Sequence, residues 1–183
     1  MKTAIFIVLS FVILGCTGSS KQYILSVDNS SLQSITKKNT QIGVDKVSVP
    51  GYMEENRIAI QESAGAITYS SDIWAVPTAK ALTQTLIRTL QKRFSNPNVY
   101  LYPWDIEREN GIRVKVTINS FIYSNGTVNL EATYFTKRIG SKSKRSHMYS
   151  TQVPSSSDTA AIVKAMSIAF GRLSADIAQK IPH

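Results

Sequence analysis

The chain has one cysteine, Cys16, and only two histidines, His147 and His183. A lone cysteine forms no internal disulfide. Nowhere do His, Cys, Asp and Glu cluster at metal-ligand spacing. His183 is the last residue, and His147 stands in a basic region with no carboxylate at a useful spacing. The 9 glycines include no phosphate-cradling loop and no Gly-x-Ser-x-Gly elbow. Ser, His and Asp all occur, but a triad is defined by geometry rather than by order in the chain. These absences turn the reading away from catalysis. Acidic residues are also few, 12 against 21 Lys and Arg, for a net charge of +9. That balance suits nucleic acid, an anionic membrane surface or an acidic partner, or it only keeps the domain soluble. No apolar run is long enough to span a bilayer. The longest, Ala4 to Leu14, is interrupted by Ser10 and falls well short of the roughly 20 residues that a crossing helix needs.

That short run is informative in itself. Met1-Lys2 is a minimal positive start, Ala4 to Leu14 fits the apolar region of a signal peptide, and Ile13-Leu14-Gly15-Cys16 follows as a bacterial lipobox. Residues 1–15 are read as a lipoprotein signal peptide, cleaved between Gly15 and Cys16. Acylated Cys16 and a short polar tether occupy 16–21, and 22–183 form a single periplasmic domain. Each buried methylene contributes about 0.8 kcal/mol, so two or three acyl chains on Cys16 make a stable anchor. Export argues against a nucleic-acid partner. Thr17, rather than Asp, follows the cysteine, as in lipoproteins sorted to the outer membrane.

The length suits one domain, and an apolar content of 43% suffices for a core. Gln22 to Val27 reads as a strand, with Tyr23 and Leu25 on one face. Asp28 to Thr40 reads as a loop. Gln41 to Val49 is a strand whose apolar phase slips near Asp45-Lys46, which predicts a bulge, and Pro50-Gly51 ends it. Arg57 to Glu62 and Ala66 to Tyr69 flank a turn at Ser63 to Gly65. Pro77 opens a helix over Thr78 to Phe94, striped by Ala79, Leu82, Leu86, Ile87, Leu90 and Phe94. Asn98 to Tyr102 is a strand and Pro103 to Asn110 a loop. Gly111 to Tyr123 alternates, with Ile112, Val114, Val116, Ile118 and Ile122 on one face. Thr127 to Thr136 puts Val128, Leu130, Ala132 and Tyr134 on one face. Matching the two faces predicts a three-residue loop, Ser124-Asn125-Gly126, pairing Ile118 with Ala132 and Ile122 with Val128. Ser146 to Val153 completes a meander, and Asp158 caps a last helix over Thr159 to Lys180. The fold class is α+β: a two-layer domain, a largely antiparallel sheet with two long amphipathic helices packed on it.

One charge run is concentrated. Lys137, Arg138, Lys142, Lys144 and Arg145 fall in a loop between two strands, a candidate contact for anionic lipid or an acidic partner and equally a solvated hairpin. Phe121, Tyr123 and Phe135 fall on the outer face of the central strands and could serve a protein contact.

Several stretches carry a resemblance. Tyr23-Ile24-Leu25 comes soon after the lipobox. Gly43 to Tyr52 (Gly-Val-Asp-Lys-Val-Ser-Val-Pro-Gly-Tyr) follows, with Arg57-Ile58. Trp74-Ala75-Val76-Pro77 then leads into the striped helix. In this order the chain resembles the ABC-type transport auxiliary lipoproteins, the PqiC (YmbA) family of intermembrane transport lipoproteins. Val76 departs from the acidic residue expected there in many members. Tyr23, Leu25, Pro50, Tyr52, Trp74 and Pro77 are the motif residues, structural or interfacial. The resemblance implies a non-enzymatic partner of a mammalian-cell-entry (MCE) domain protein and its inner-membrane permease complex. The chain would be held at the outer membrane by its lipid and would need no cofactor beyond it. A homo-oligomer is compatible with this. The alternative is a lipoprotein chaperone or pilotin of an outer-membrane assembly or secretion machine. A lipid-anchored hydrolase would need Ser, His147 and a carboxylate brought together in a cleft.

Overall fold

The structure, a computed structural model, describes residues 20–26, 40–96, 98–103 and 111–182. Gly15 and Cys16, most of the expected tether, the segment 27–39, Pro97, the segment 104–110 and His183 lie outside the described residues. The elements in order are β1 (Gln22–Tyr23), β2 (Ile42–Asp45), β3 (Arg57–Gln61), β4 (Ile67–Trp74), α1 (Thr78–Phe94), β5 (Val99–Tyr102), β6 (Ile112–Ser124), β7 (Thr127–Arg138), β8 (Arg145–Pro154) and α2 (Thr159–Lys180).

The eight strands among the described residues form one sheet, and it is mixed rather than largely antiparallel. The meander β6–β7–β8 and the pair β3–β4 are antiparallel. The pairs β1–β4, β2–β5, β2–β6 and β3–β6 are parallel. Alternation tells which face a strand buries, not which strand lies beside it. Parallel neighbours need long crossover connections, and here the span from β2 to β5 contains a strand pair and all of α1.

One flank of β6 is shared by three successive partners. Ile42 to Val44 of β2 pair with Ile112 to Val114, Ser48 bridges Thr117, and Ile60 and Gln61 of β3 pair with Tyr123 and Ser124. The apolar phase slip at Asp45-Lys46 is the point where β2 leaves regular pairing before touching β6 again at Ser48. Between Ser48 and Arg57 the chain makes a 3-10 turn at Gly51–Met53.

The β6–β7 hairpin corrects the predicted loop. Ile118 pairs with Ala132 as expected, but Ser124 pairs with Thr127 around a two-residue turn, Asn125-Gly126. Both turn residues have positive φ, 48° and 77°, as a type I′ turn requires. The mismatch of faces is resolved by a bulge between Ile118 and Ser120, not by a longer loop. Beyond the bulge Ile122 pairs with Asn129 rather than Val128. Phe121 pairs with Leu130 and is buried in the core rather than lying on the outer face. The Phe121 N–H donates to the Tyr52 hydroxyl at 2.9 Å, so the 3-10 turn supplies a partner beside the interruption in the ladder.

The helices lie where the periodicity placed them. Asp158 caps α2, its carboxylate accepting from the Ala161 N–H at 3.1 Å. Pro77 is the N-cap of α1, one position before the helix proper. The buried face of α1 is wider than its apolar stripe. Thr78, Thr83, Thr85 and Thr89 are buried with Leu82, Leu86, Leu90 and Phe94. Thr83 is tied on both sides: its hydroxyl donates to the Ala79 carbonyl and accepts from the Val47 N–H at 2.9 Å. The two helices pack against each other, α1 over β2 and β5 and α2 over β7 and β8. β1 is only two residues, shorter than the expected Gln22 to Val27, while β4 runs on to Trp74 rather than stopping at Tyr69. These two ends meet, with Tyr23 opposite Trp74.

Candidate functional site

Four of the motif residues, Tyr23, Leu25, Tyr52 and Trp74, lie in the core or pack against it, whereas Pro77 is exposed. Leu25 is buried and Tyr23 packs against the core. Pro50 opens the 3-10 turn that carries Tyr52. Trp74, 3% exposed, closes β4, and its N–H donates to the Asn56 carbonyl at 2.8 Å. The Ala75 N–H donates to the Tyr23 carbonyl at 2.8 Å, and the Ile73 N–H to the Lys21 carbonyl at 3.0 Å. Ahead of β1 the Lys21 N–H donates to Asp72 Oδ1, and the Ser20 hydroxyl to the Ser71 carbonyl. The chain is therefore fastened to the sheet edge from Ser20 onward.

His147 does not assemble with a nucleophile. It lies on β8, its ring stacked on Tyr134 with centroids 5.0 Å apart, and its Nε2 is buried with no hydrogen-bond partner. The neighbouring carboxylate, Asp176 on α2, accepts instead from the Tyr134 hydroxyl at 2.5 Å. Tyr134, one of the largest fully buried side chains, thus fastens α2 to β7 with a charge-assisted bond. Burial, then the Asp176 carboxylate, holds its phenol well above the ordinary value of 10.0. Tyr149 is raised as well, chiefly by burial. A phenol raised on folding stabilises fully below its unfolded pKa, and that contribution is lost as the pH climbs above it. Stability is expected to fall with pH from about 10 upward. Tyr134→Phe should cost about 1.5–3 kcal/mol near neutrality and flatten the alkaline decline. Denaturant melts across that range test this, and an unchanged alkaline slope in the variant would contradict it.

The basic run does gather at one corner. Lys142, Lys144 and Arg145 are exposed where the β7–β8 connection turns, with Arg138 exposed and Lys137 half-buried at the end of β7. Gly140, at φ 81°, makes the reversal, and the Ser141 hydroxyl accepts from the Ser143 N–H. Lys144 Nζ lies 5.6 Å from the Phe135 ring centroid, and Lys115 pairs with Phe135 across the sheet. Phe135 is half-buried among these cations rather than presented as a free aromatic.

Two features were not anticipated from the sequence. Arg113 forms a two-pronged pair with Asp45, Nε to Oδ1 at 2.8 Å and Nη2 to Oδ2 at 2.7 Å, and its guanidinium lies 4.5 Å from the Tyr102 ring centroid. The Asp45 hydrogen bond holds the Arg113 pKa above its usual value against partial desolvation. This clamp ties β2 to β6. The residues are 68 positions apart, so no local pattern announces them. The second feature is a groove of about 1120 Å³ beside α1, floored by Val47, Val49 and Ile87, edged by Leu101, and flanked by Lys46 and Lys80. Leu101 is 53% exposed on the edge strand β5. No group of His, Cys, Asp and Glu among the described residues could hold a metal.

These features define a class: a two-helix α+β domain with a mixed sheet, fastened at the sheet edge by its first described strand. A family model for the ABC-type transport auxiliary lipoprotein component matches residues 23–178. The chain belongs to that family of non-enzymatic, membrane-anchored lipoproteins that serve ABC-type transport systems. Two solved structures share the fold. An uncharacterized protein aligns at TM-score 0.72 and 20% identity, over 90% of this chain and 100% of its own. A Xanthomonas campestris protein of family DUF330 aligns at 0.66 and 16% identity, over 86% of this chain and 90% of its own. Comparison with curated proteins returns no match.

Proposed function

We propose that this chain is the outer-membrane-anchored auxiliary lipoprotein of an MCE-type intermembrane lipid transport system, docking the periplasmic MCE assembly to that membrane. The observation that carries the reading is the family match beginning at residue 23, directly behind Leu14-Gly15-Cys16. Four residues, 17–20, lead from the acylated cysteine to Lys21, whose backbone is bonded into the sheet edge. Fully extended they reach about 14 Å. The domain is thereby kept beside the lipid surface, and its far corners remain available to a periplasmic partner. Thr17 supports the outer-membrane address. ATP hydrolysis belongs to another subunit in this reading.

The test is affinity purification of the lipidated protein in mild detergent, with mass spectrometry of what accompanies it. An MCE-domain protein and its permease are expected. Recovery of a secretin or a β-barrel assembly protein, with no MCE protein, would replace this reading with that of a pilotin or chaperone.

A further inference from the structure

We infer that the outer edge of β8, together with the basic corner where it starts, docks an extended, acidic segment of a partner polypeptide by adding a strand to the sheet. This goes beyond the transport reading and does not depend on which system the chain serves.

Among the described residues β8 pairs only with β7, so its other side is a sheet edge. The other edges are short: β1 has two residues and β5 four, whereas β8 has ten. Edges of that length are normally protected by lysine, proline, a bulge or an inward charge. β8 contains no lysine and no acidic residue, its proline is the terminal Pro154 at the end away from the basic corner, and the β7–β8 register runs without a shift.

The phase of the ladder shows which groups are offered. The Ser155 N–H donates to the Gly126 carbonyl at 2.9 Å, just past the paired ends Thr127 and Pro154. Since bonding alternates along an antiparallel pair, the odd-numbered residues of β8 turn their backbone toward β7. The even-numbered ones, Ser146, Met148, Ser150 and Gln152, turn theirs outward. Arg172 agrees with this phase, because its Nη1 reaches round from α2 to the outward Gln152 carbonyl at 3.2 Å. The Gln152 end is thus partly covered, leaving Ser146 to Ser150 open. Met148, 88% exposed, stands in the middle of that stretch, the most exposed large hydrophobic side chain among the described residues.

Charge selects the occupant. Lys142, Lys144 and Arg145 lead into the open stretch and are all exposed, while β8 itself carries no carboxylate. A strand laid along this edge would carry its acidic residues at the end beside Arg145 and an apolar side chain beside Met148. Main-chain bonds supply affinity in strand addition, and side-chain positions supply specificity. A lipid headgroup would satisfy the cations but not the outward N–H and C=O groups of three successive outward-facing residues.

The experiment uses the full-length acylated chain in phosphatidylcholine nanodiscs. The probe is a fluorescent decapeptide of alternating Thr and Val ending in three Asp, with a twin ending in three Lys. The Asp peptide is expected to bind and to slow hydrogen exchange across 146–150 at least tenfold, and the Lys peptide to do neither. Met148→Pro should weaken binding at least tenfold. Its N–H points outward, so proline there removes no bond to β7. Joint replacement of Lys142, Lys144 and Arg145 by Glu should do the same while leaving residues 146–150 unaltered. Unchanged exchange across 146–150 in the wild-type protein overturns the proposal whatever the variants do. Two other results would also overturn it. Protection confined to 139–145 in phosphatidylglycerol discs assigns the corner to a membrane. Protection of 146–150 that rises with protein concentration alone assigns the edge to a second copy.

Discussion

Cys16→Ala is expected to abolish incorporation of labelled palmitate and to leave the precursor uncleaved, because the acylated thiol is what the lipoprotein signal peptidase requires. Exported instead behind an ordinary cleavable signal and without Cys16, the domain should appear in the soluble periplasmic fraction. The effect is close to all-or-none, since at about 0.8 kcal/mol per methylene the anchor outweighs any surface contact the domain could make. Fractionation and metabolic labelling decide it. Palmitate retained by the Ala variant would show that the lipobox was misread.

Trp74→Ala should carry the largest stability cost in the folded domain, about 3–5 kcal/mol. That is a large part of the roughly 5–15 kcal/mol that typical domains possess. Trp74 is buried where β4 ends, beside Tyr23 of β1 and just before α1 begins. Its loss opens a cavity at the point where the anchored strand joins the sheet. Two readouts are expected to move together: the denaturant midpoint falls, and the Ala75 amide, bonded to the Tyr23 carbonyl, exchanges faster. A cost below about 1 kcal/mol would mean that the site collapses around the smaller side chain and that Trp74 is not the keystone of this junction.

Elements governed by local rules were legible in the sequence. The period of the apolar residues and the flanking Pro77 and Asp158 placed α1 and α2 at the ends they occupy. Alternation placed β6, β7 and β8, and face-matching gave the Ile118–Ala132 pair. The device behind that match was not legible, because a longer loop and a bulge correct the phase equally well and only the partner strand shows which is used. Asn125-Gly126 was the better guide there, being the residue pair that a two-residue turn prefers. The parallel pairs were hidden for a different reason: nothing in Ile42 to Asp45 says that its neighbours are Val99 to Tyr102 and Ile112 to Val114. The apolar stripe left the buried threonines of α1 unread, although Thr83 finds its partners inside. As for the candidate site, the basic run was visible as a run. The free edge beside it follows only from strand order.

The shared flank of β6 bears on how this protein is made. β2, Ser48 and β3 all wait for one strand that lies far downstream, and β5 reaches β6 only by way of β2. A chain threaded across a membrane N-terminus first delivers the anchor, five strands and a helix before the strand that organises them. Contacts so distant in sequence form slowly, and exposed strands invite misassembly in the interval. The local meander β6–β7–β8 emerges last and can close on itself quickly, so its arrival is the step that lets the earlier strands assemble. A chain delivered this way is vulnerable until β6 emerges, and one truncated before Ile112 would hold only the separate strand groups β1–β4–β3 and β2–β5, without the strand that joins them.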